Sequence, residues 1–251
     1  MQSKPKYAAA VALAGPVGFV GLVVPHALRR LRPGGTRTLL IGSALSVLVS
    51  AAAILTASPA NAEPPCSDIE VIFGRGTSEP PGIGRVGQAL VDALIPQVGG
   101  RTVSSYGLNY PASYDFLTAA DGANDASARI ATLAATCPNT RVVLGGYSQG
   151  AAAIDMLAGV PPLGNRIGDV GSAPPLPTNL DAMVSAVAVF GNPSAKFSLP
   201  LNSAGVFAGR SIDLCSDGDP ICSRGRNPFA HTHYETSEFI PQAAAFVARL
   251  V

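Results

Sequence analysis

The segment Arg141–Ile154, R-V-V-L-G-G-Y-S-Q-G-A-A-A-I, decides the fold. Its apolar run Val142–Leu144 predicts a buried strand, and the alanine-rich run after Gln149 predicts a helix. Between them lies G-x-S-x-G, a motif that holds Ser148 on a sharp strand-to-helix turn. The helix dipole there stabilises developing negative charge. Ser148 is therefore a candidate nucleophile, and an ordinary glycine-rich turn is the alternative.

Strand-like and helix-like segments alternate on both sides of this motif. The alternation predicts an α/β fold, with a mostly parallel central sheet and helices on both faces. The Gly- and Pro-rich stretch 159–177 predicts a loop, and the chain is too short for a large lid beside such a sheet. The expected strands are 69–73, 102–108, 141–145, 184–190 and 211–214, and the expected helices are 84–95, 124–136, 149–158 and 237–250.

The first 62 residues differ in composition from the rest, because all 16 acidic residues lie after position 62. This region contains two apolar runs, at 7–28 and 39–56. The second run follows the basic segment Arg29–Arg37 and precedes Ala60-Asn61-Ala62, which is typical of an export signal with a small-x-small cleavage site. We expect residues 1–62 to be an export signal region, cleaved after Ala62, and residues 63–251 to be one globular domain.

A retained transmembrane hairpin is the alternative, since each apolar run approaches the roughly 20 residues that span a bilayer. Pro16 and Pro25 interrupt the first run, and a hairpin needs no cleavage site. A translation start later than Met1 would leave an ordinary signal peptide. The Arg29-Arg30 pair supports a twin-arginine signal only weakly.

The composition after position 62 limits the partners and cofactors. Acidic residues outnumber basic ones there, so we expect no nucleic-acid partner. Four cysteines predict two disulfides in an oxidising compartment, and the residues alone leave three pairings open. A metal site is the rival interpretation, but no C-x-x-C pair occurs, so we expect no metal. The cysteines are Cys66, Cys137, Cys215 and Cys222.

A serine nucleophile needs a base and an acid. The only histidines after position 62 are His231 and His233, in one loop before the last helix. The order serine, acid, histidine is that of the α/β hydrolases, which leaves Asp217 and Asp219 as candidate acids. Aspartates beside Gly and Pro are often solvated turn residues instead. Asp155 lies seven residues beyond Ser148 in the helix and should point away from the turn.

The chain resembles the cutinase family, and within it the cutinase-like exported proteins of mycobacteria. The motifs that carry this resemblance span nearly all of residues 63–251. They are R-G-T-S-E at 75–79, Cys137-Pro138, G-Y-S-Q-G at 146–150, C-x-x-x-D-x-x-C at 215–222, and a histidine about ten residues further. The resemblance implies an α/β-hydrolase fold, Asp219 as the acid, His231 as the base, and the disulfides Cys66–Cys137 and Cys215–Cys222.

An oxyanion hole needs two donors. The backbone N–H of Gln149, directly after the nucleophile, supplies one by the logic of the motif. The resemblance implies Thr77 as the other, and a turn or cap residue is the alternative role for that threonine. Six apolar residues near the loops that carry Ser148, Asp219 and His231 form either the rim of an acyl-binding site or part of the hydrophobic core. They are Phe190, Phe197, Leu199, Leu201, Val206 and Phe229.

The implied function is a secreted serine esterase that hydrolyses carboxylic esters with short to medium acyl chains through an acyl-enzyme, without a cofactor. We expect a monomer whose partner is an ester or lipid small molecule, and association with the cell envelope is a further expectation. One alternative is an acetylxylan-type esterase. Another is a catalytically silent surface protein that binds lipid or a cell-wall component, although such a binder has no use for a complete set of serine, acid and histidine.

Overall fold

The computed structural model describes residues 65–161 and 170–251, so the expected export region and its cleavage site lie outside the described residues. Five strands form one parallel sheet in the order β2-β1-β3-β4-β5. The strands are β1 Ile69–Gly74, β2 Val103–Gly107, β3 Arg141–Tyr147, β4 Val184–Phe190 and β5 Ser211–Leu214. The described α-helices are α1 Gly84–Leu94, α2 Ala119–Thr136, α3 Gln149–Leu157 and α4 Phe239–Ala248.

Helices cover both faces of the sheet, as the sequence predicted. Ile72 and Leu144 pack with α2 and α3, whereas their neighbours Val71 and Val143 pack with α1 and α4. Successive side chains of a strand point to opposite faces, so an apolar run such as Val142–Leu144 can be buried only if both faces are covered. The described residues thus form three layers, helix on sheet on helix.

Helix α2 begins earlier than expected, at Ala119 instead of residue 124. Its first turns contain Asp121 and Gly122, which have low helix propensity. Ala119 and Ala123 are nevertheless fully buried, and a Cβ on Gly122 would lie 3.2 Å from the ring of Tyr110. Packing of small residues against the core therefore overrides local propensity here.

The carboxyl ends of the parallel strands meet at one edge of the sheet, and this edge positions the site. The loop 75–79 follows β1, Ser148 follows β3, Gly191 follows β4, and the loop 215–222 follows β5. Within the described ranges no helix is long and apolar enough to cross a membrane. Disulfides join Cys66 to Cys137 and Cys215 to Cys222, the pairing that the resemblance implied.

Candidate active site

Ser148 lies on a strained turn between β3 and α3, with φ 56° and ψ −114°. Residues other than glycine rarely adopt a positive φ, and such strain is concentrated at functional sites. The turn also requires glycine on both sides. A Cβ on Gly146 would lie 2.5 Å from the carbonyl oxygen of Gly150, and one on Gly150 would lie 2.0 Å from that of Gly74. Only glycines allow the end of β1 and the start of α3 to approach this closely.

His231 lies between Ser148 and Asp219. Its Nε2 is 2.8 Å from Ser148 Oγ, and its Nδ1 is 2.7 Å from Asp219 Oδ2. These contacts fit the tautomer in which Nδ1–H donates to the carboxylate and Nε2 accepts from the hydroxyl. A Cβ on Gly191 would lie 2.8 Å from His231 Cε1, so the glycine after β4 makes room for the imidazole. The arrangement is a continuous line of hydrogen bonds from hydroxyl to carboxylate.

The Asp219 carboxylate is fully buried. Burial raises its pKa, but hydrogen bonds from His231, from the Tyr234 hydroxyl and from the Ile221 N–H outweigh burial and leave the pKa below its ordinary value. The Tyr234 hydroxyl is 2.7 Å from Oδ2, and the Ile221 nitrogen is 2.7 Å from Oδ1. These hydrogen bonds therefore favour the ionised carboxylate and fix its orientation beside His231.

The alternative acid Asp217 and the alternative base His233 lie outside this line of hydrogen bonds. Asp217 is exposed, two residues before the buried Asp219. His233 is also exposed, with its Nδ1 3.1 Å from the carbonyl oxygen of Phe229. Of the two histidines and two aspartates that the sequence left open, His231 and Asp219 contact each other, and His231 also contacts Ser148.

Tyr234 is a supporting residue that the sequence analysis missed. Its hydroxyl donates to Asp219 and accepts from the backbone N–H of Ser216 at 2.8 Å, so it joins both sides of the loop closed by Cys215 and Cys222. The side chain is buried. The available signal was a tyrosine three residues after His231, but such a spacing is common and does not predict a contact with the acid.

Both predicted oxyanion residues lie at the N-terminus of α3. Gln149 is the first residue of the helix, and its side-chain Oε1 accepts from Thr77 Oγ1 at 3.2 Å. Gln149 Nε2 is buried and has no hydrogen-bond partner among the described residues. The threonine hydroxyl therefore links the loop after β1 to the helix after β3.

The loop that carries Thr77 is fixed by the buried side chain of Arg75, a role that the sequence did not reveal. Its guanidinium donates to the carbonyl oxygens of Leu108 and Glu79, both at 3.0 Å, and to that of Tyr110. Backbone carbonyls from two loops are thereby tied to one side chain. The position of Thr77 beside the helix is set by this anchor.

A cleft of about 570 Å³ opens above Ser148 and His231. Of the two alternatives for the six apolar residues, rim or core, the rim is not supported, because none of the six lines this cleft. Phe190 and Leu201 are fully buried in the core, while Val206 and Phe229 are exposed. The lining is instead Thr77, Glu79, Arg85, Tyr114, Phe116, Tyr147, Ser148, Gln149, Ala152, Val170, Pro193, Lys196, Pro220, Ile221, His231 and Thr232.

Asp155, in the helix after Ser148, is buried and hydrogen-bonds to Asn192. Asn192 Nδ2 donates to Asp155 Oδ1 at 3.0 Å and to Asp213 Oδ2 at 2.8 Å, so two buried carboxyl groups share one amide. Burial raises the pKa of Asp155 to about 8 and that of Asp213 to about 6, and the nearby Asp213 carboxylate raises the pKa of Asp155 further. This cluster joins α3, the end of β4 and β5.

Asp155→Asn is expected to stabilise the protein more at pH 8 than at pH 5. The folded protein keeps a proton on Asp155 that the unfolded chain releases above about pH 4, so stability falls as pH rises from about 4 to about 8 and then levels off. An amide keeps the acceptor for Asn192 and removes this loss. The expected gain in Tm at pH 8 is about 3 °C, or about 1 kcal/mol. The measurement is Tm by circular dichroism across this pH range.

The exposed carboxylate of Asp217 provides the matched control, since Asp217→Asn removes the same charge without changing a buried group. That variant is expected to keep the pH dependence of the parent protein. A Tm change in Asp155→Asn that is the same at pH 5 and pH 8 would contradict a buried, protonated Asp155.

A five-stranded parallel sheet with a serine on the strand-to-helix turn, a histidine hydrogen-bonded to that serine and an aspartate hydrogen-bonded to the histidine define the α/β-hydrolase class. The model of the family described as Cutinase matches residues 65–251. The chain belongs to the cutinase family. The model of the FecCD transport family matches residues 6–67, which is less than half of the chain and does not show membership.

Named relatives agree with this assignment. A protein named Phospholipase Culp4, from Mycobacterium tuberculosis, is 46% identical over 228 residues, covering 89% of this chain and 96% of the relative. A protein named Carboxylesterase Culp1, from the same species, is 42% identical over 216 residues, covering 81% and 93%. The catalytic core domain of acetyl xylan esterase from Trichoderma reesei superposes with a TM-score of 0.62 at 28% identity, covering 74% of this chain and all of that one (100%).

Proposed function

We propose that this chain, a carboxylic ester hydrolase by family, is a serine esterase that cleaves esters with short to medium acyl chains. The observation that carries the proposal is the line of hydrogen bonds from Ser148 through His231 to Asp219, which opens into the cleft. The names of the relatives, phospholipase and carboxylesterase, support an ester as the substrate.

In the proposed reaction, His231 Nε2 takes the proton of Ser148 as the hydroxyl oxygen attacks the ester carbonyl. Asp219 holds the imidazole in its tautomer and stabilises the imidazolium. The backbone N–H groups of Gln149 and Thr77 donate to the oxyanion. The imidazolium then protonates the leaving alcohol, and an acyl-enzyme remains. Water, deprotonated by His231, hydrolyses this intermediate and releases the acid.

The dimensions of the cleft support a substrate of modest length. Its volume of about 570 Å³ lies within the range of roughly 300 to 1,000 Å³ that small-molecule sites occupy. Aromatic side chains of Tyr114 and Phe116 and the aliphatic side chain of Ile221 line it. Such a lining favours a short or medium aliphatic acyl chain over a highly polar one.

The test is a series of 4-nitrophenyl esters from acetate to hexadecanoate, assayed with the full chain and its Ser148→Ala variant. We expect kcat/KM to peak between butanoate and octanoate. Acetylated xylan is included, because likeness to the acetyl xylan esterase structure makes an acetylxylan-type activity the second candidate. A preference for acetylated xylan and acetate would favour that candidate. Binding of lipid without any hydrolysis would support a silent surface protein.

We also propose that the protein is exported, monomeric and cleaved after Ala62, and that it remains at or near the cell envelope. Two disulfides support export, since such bonds persist in oxidising compartments. N-terminal sequencing of protein from the culture fluid is expected to begin at Glu63. Recovery of only the full-length chain, in membranes, would support the transmembrane hairpin instead.

A further inference from the structure

The charged side chains that line the cleft differ in whether they form an ion pair with a group of opposite charge. Glu79 accepts from Arg85 Nε at 3.1 Å and from the N–H of Gly76 at 2.6 Å. Arg85 also contacts Glu235 Oε1 at 2.7 Å. One guanidinium is thus shared between two carboxylates, so these three side chains together keep an excess of negative charge. Arg85 therefore adds no free positive charge to the lining.

Lys196 differs from Arg85 in its hydrogen-bond partner. Its Nζ donates to the carbonyl oxygen of Pro220 at 2.6 Å, and this acceptor is neutral. Within residues 65–161 and 170–251 no carboxylate lies within ion-pair distance of this ammonium. An ammonium has three N–H donors, so two remain after the contact with Pro220. Lys196 thus brings to the same cleft as Ser148 a positive charge that no carboxylate of the described residues pairs with.

The backbone around Lys196 holds the ammonium in this position. Lys196 belongs to the 3-10 turn Pro193–Phe197, which Asn192 caps by accepting from the N–H of Ser194. Pro193 and Ser194 are buried, so the turn is anchored beneath the side chain. The turn and the Pro220 carbonyl together keep Nζ at the cleft wall, which lowers the entropy lost when a substrate group binds there.

We propose that Lys196 is a specificity-determining residue, which favours esters that carry a phosphate or carboxylate over neutral esters of the same shape. This inference rests on the proposed esterase function of the site. A partly buried ammonium without a counter-ion gains from an anionic oxygen, and charge-assisted hydrogen bonds are about twice as strong as neutral ones. The gain is local, since the chain after position 62 is acidic overall and does not attract anions from a distance.

A structural role for Lys196 has a different consequence. Pro220 directly follows Asp219, so loss of the contact between Lys196 and Pro220 could displace the acid. That displacement would slow the hydrolysis of every ester by the same factor. A charge-selective role instead changes the ratio of kcat/KM between an anionic ester and its neutral counterpart. The ratio therefore separates the two roles.

The experiment measures this ratio for the full chain with two matched pairs of esters. One pair is the 4-nitrophenyl half ester of adipic acid and 4-nitrophenyl 6-methylheptanoate, which places the charge on the acyl side. The other is dihexanoyl phosphatidylglycerol and dihexanoylglycerol, which places a phosphate on the alcohol side. The variants are Lys196→Gln, which keeps a donor for Pro220, and Lys196→Arg, which keeps the charge. Arg224→Gln is the control, because it removes a charge from an exposed residue outside the lining.

We expect Lys196→Gln to lower the ratio about tenfold for at least one pair, and the pair affected identifies the side of the ester that carries the charge. Lys196→Arg should retain most of the ratio, Arg224→Gln should leave it unchanged, and added salt should reduce it in the parent protein. An unchanged ratio in Lys196→Gln for both pairs would overturn the inference, even if all rates fell together. Absence of Ser148-dependent hydrolysis of any ester would instead overturn the proposed function.

Discussion

Replacement of Ser148 by alanine is expected to lower kcat/KM for 4-nitrophenyl butanoate by a factor on the order of 10⁴ or more, as loss of a serine nucleophile does in other hydrolases. The substitution removes the oxygen that forms the acyl-enzyme and leaves the oxyanion donors in place, so a small residual rate should remain. The fold should persist, because the hydrogen bond that the substitution removes is the one between the Ser148 side chain and His231. Circular dichroism of both proteins provides that control.

Covalent labelling gives an independent measurement of the same assignment. A fluorophosphonate probe should modify Ser148 in the parent protein, and peptide mapping should find no label in Ser148→Ala. Label on a different serine, or activity of the variant within tenfold of the parent, would show that the nucleophile is elsewhere.

His231→Ala should cause a loss similar to that of Ser148→Ala, because serine and histidine of such a set act as a unit. His233→Ala provides the matched control, since it removes the same ring two residues away in the same loop. His233 is exposed, and within the described residues its ring hydrogen-bonds to Thr232 and Phe229 of its own loop, so its loss should change kcat/KM less than about threefold, as for a surface substitution. The measurement is kcat/KM at a fixed pH for both variants.

Added imidazole tests whether the loss arises from the missing base. It should partly restore the hydrolysis by His231→Ala, because the cavity left above Gly191 can hold a free ring. It should not affect Ser148→Ala, which has no nucleophile to activate. If His233→Ala were the inactive variant, the base and the loop register deduced from the cutinase resemblance would both be wrong.

The elements of the fold followed closely from the sequence. The bounds of β4 and β5, at 184–190 and 211–214, agree with the structure, and the other strands and helices differ mainly at their ends. These segments are short apolar runs between glycine, proline and polar residues, and such patterns act locally. The start of α2 was missed because burial of Ala119 and Ala123, rather than local propensity, extends the helix.

The position of Ser148 on the strand-to-helix turn was also predictable, since the stereochemistry of the turn is a property of five consecutive residues. The lining of the cleft was not. Phe190 and Leu201 are near the catalytic loops in sequence but lie in the core, whereas Tyr114 and Phe116 lie far from Ser148 in sequence and line the cleft. Sequence proximity to a catalytic loop does not specify which way a side chain points.

The sequence by itself determined a parallel α/β sheet with Ser148 on the turn after its central strand, because hydrophobic period and glycine spacing are fixed by neighbouring residues. The residue pattern alone left His231 and His233, and Asp219 and Asp217, as alternatives that the family resemblance chose between, and only the tertiary structure shows His231 in contact with both Ser148 and Asp219. The reason is physical: the hydrogen bond between Ser148 and His231 spans 83 positions, and its geometry depends on how Gly191, Tyr234 and the Cys215–Cys222 loop pack together. The position of the Lys196 ammonium in the cleft likewise arises from groups that meet only in the folded protein.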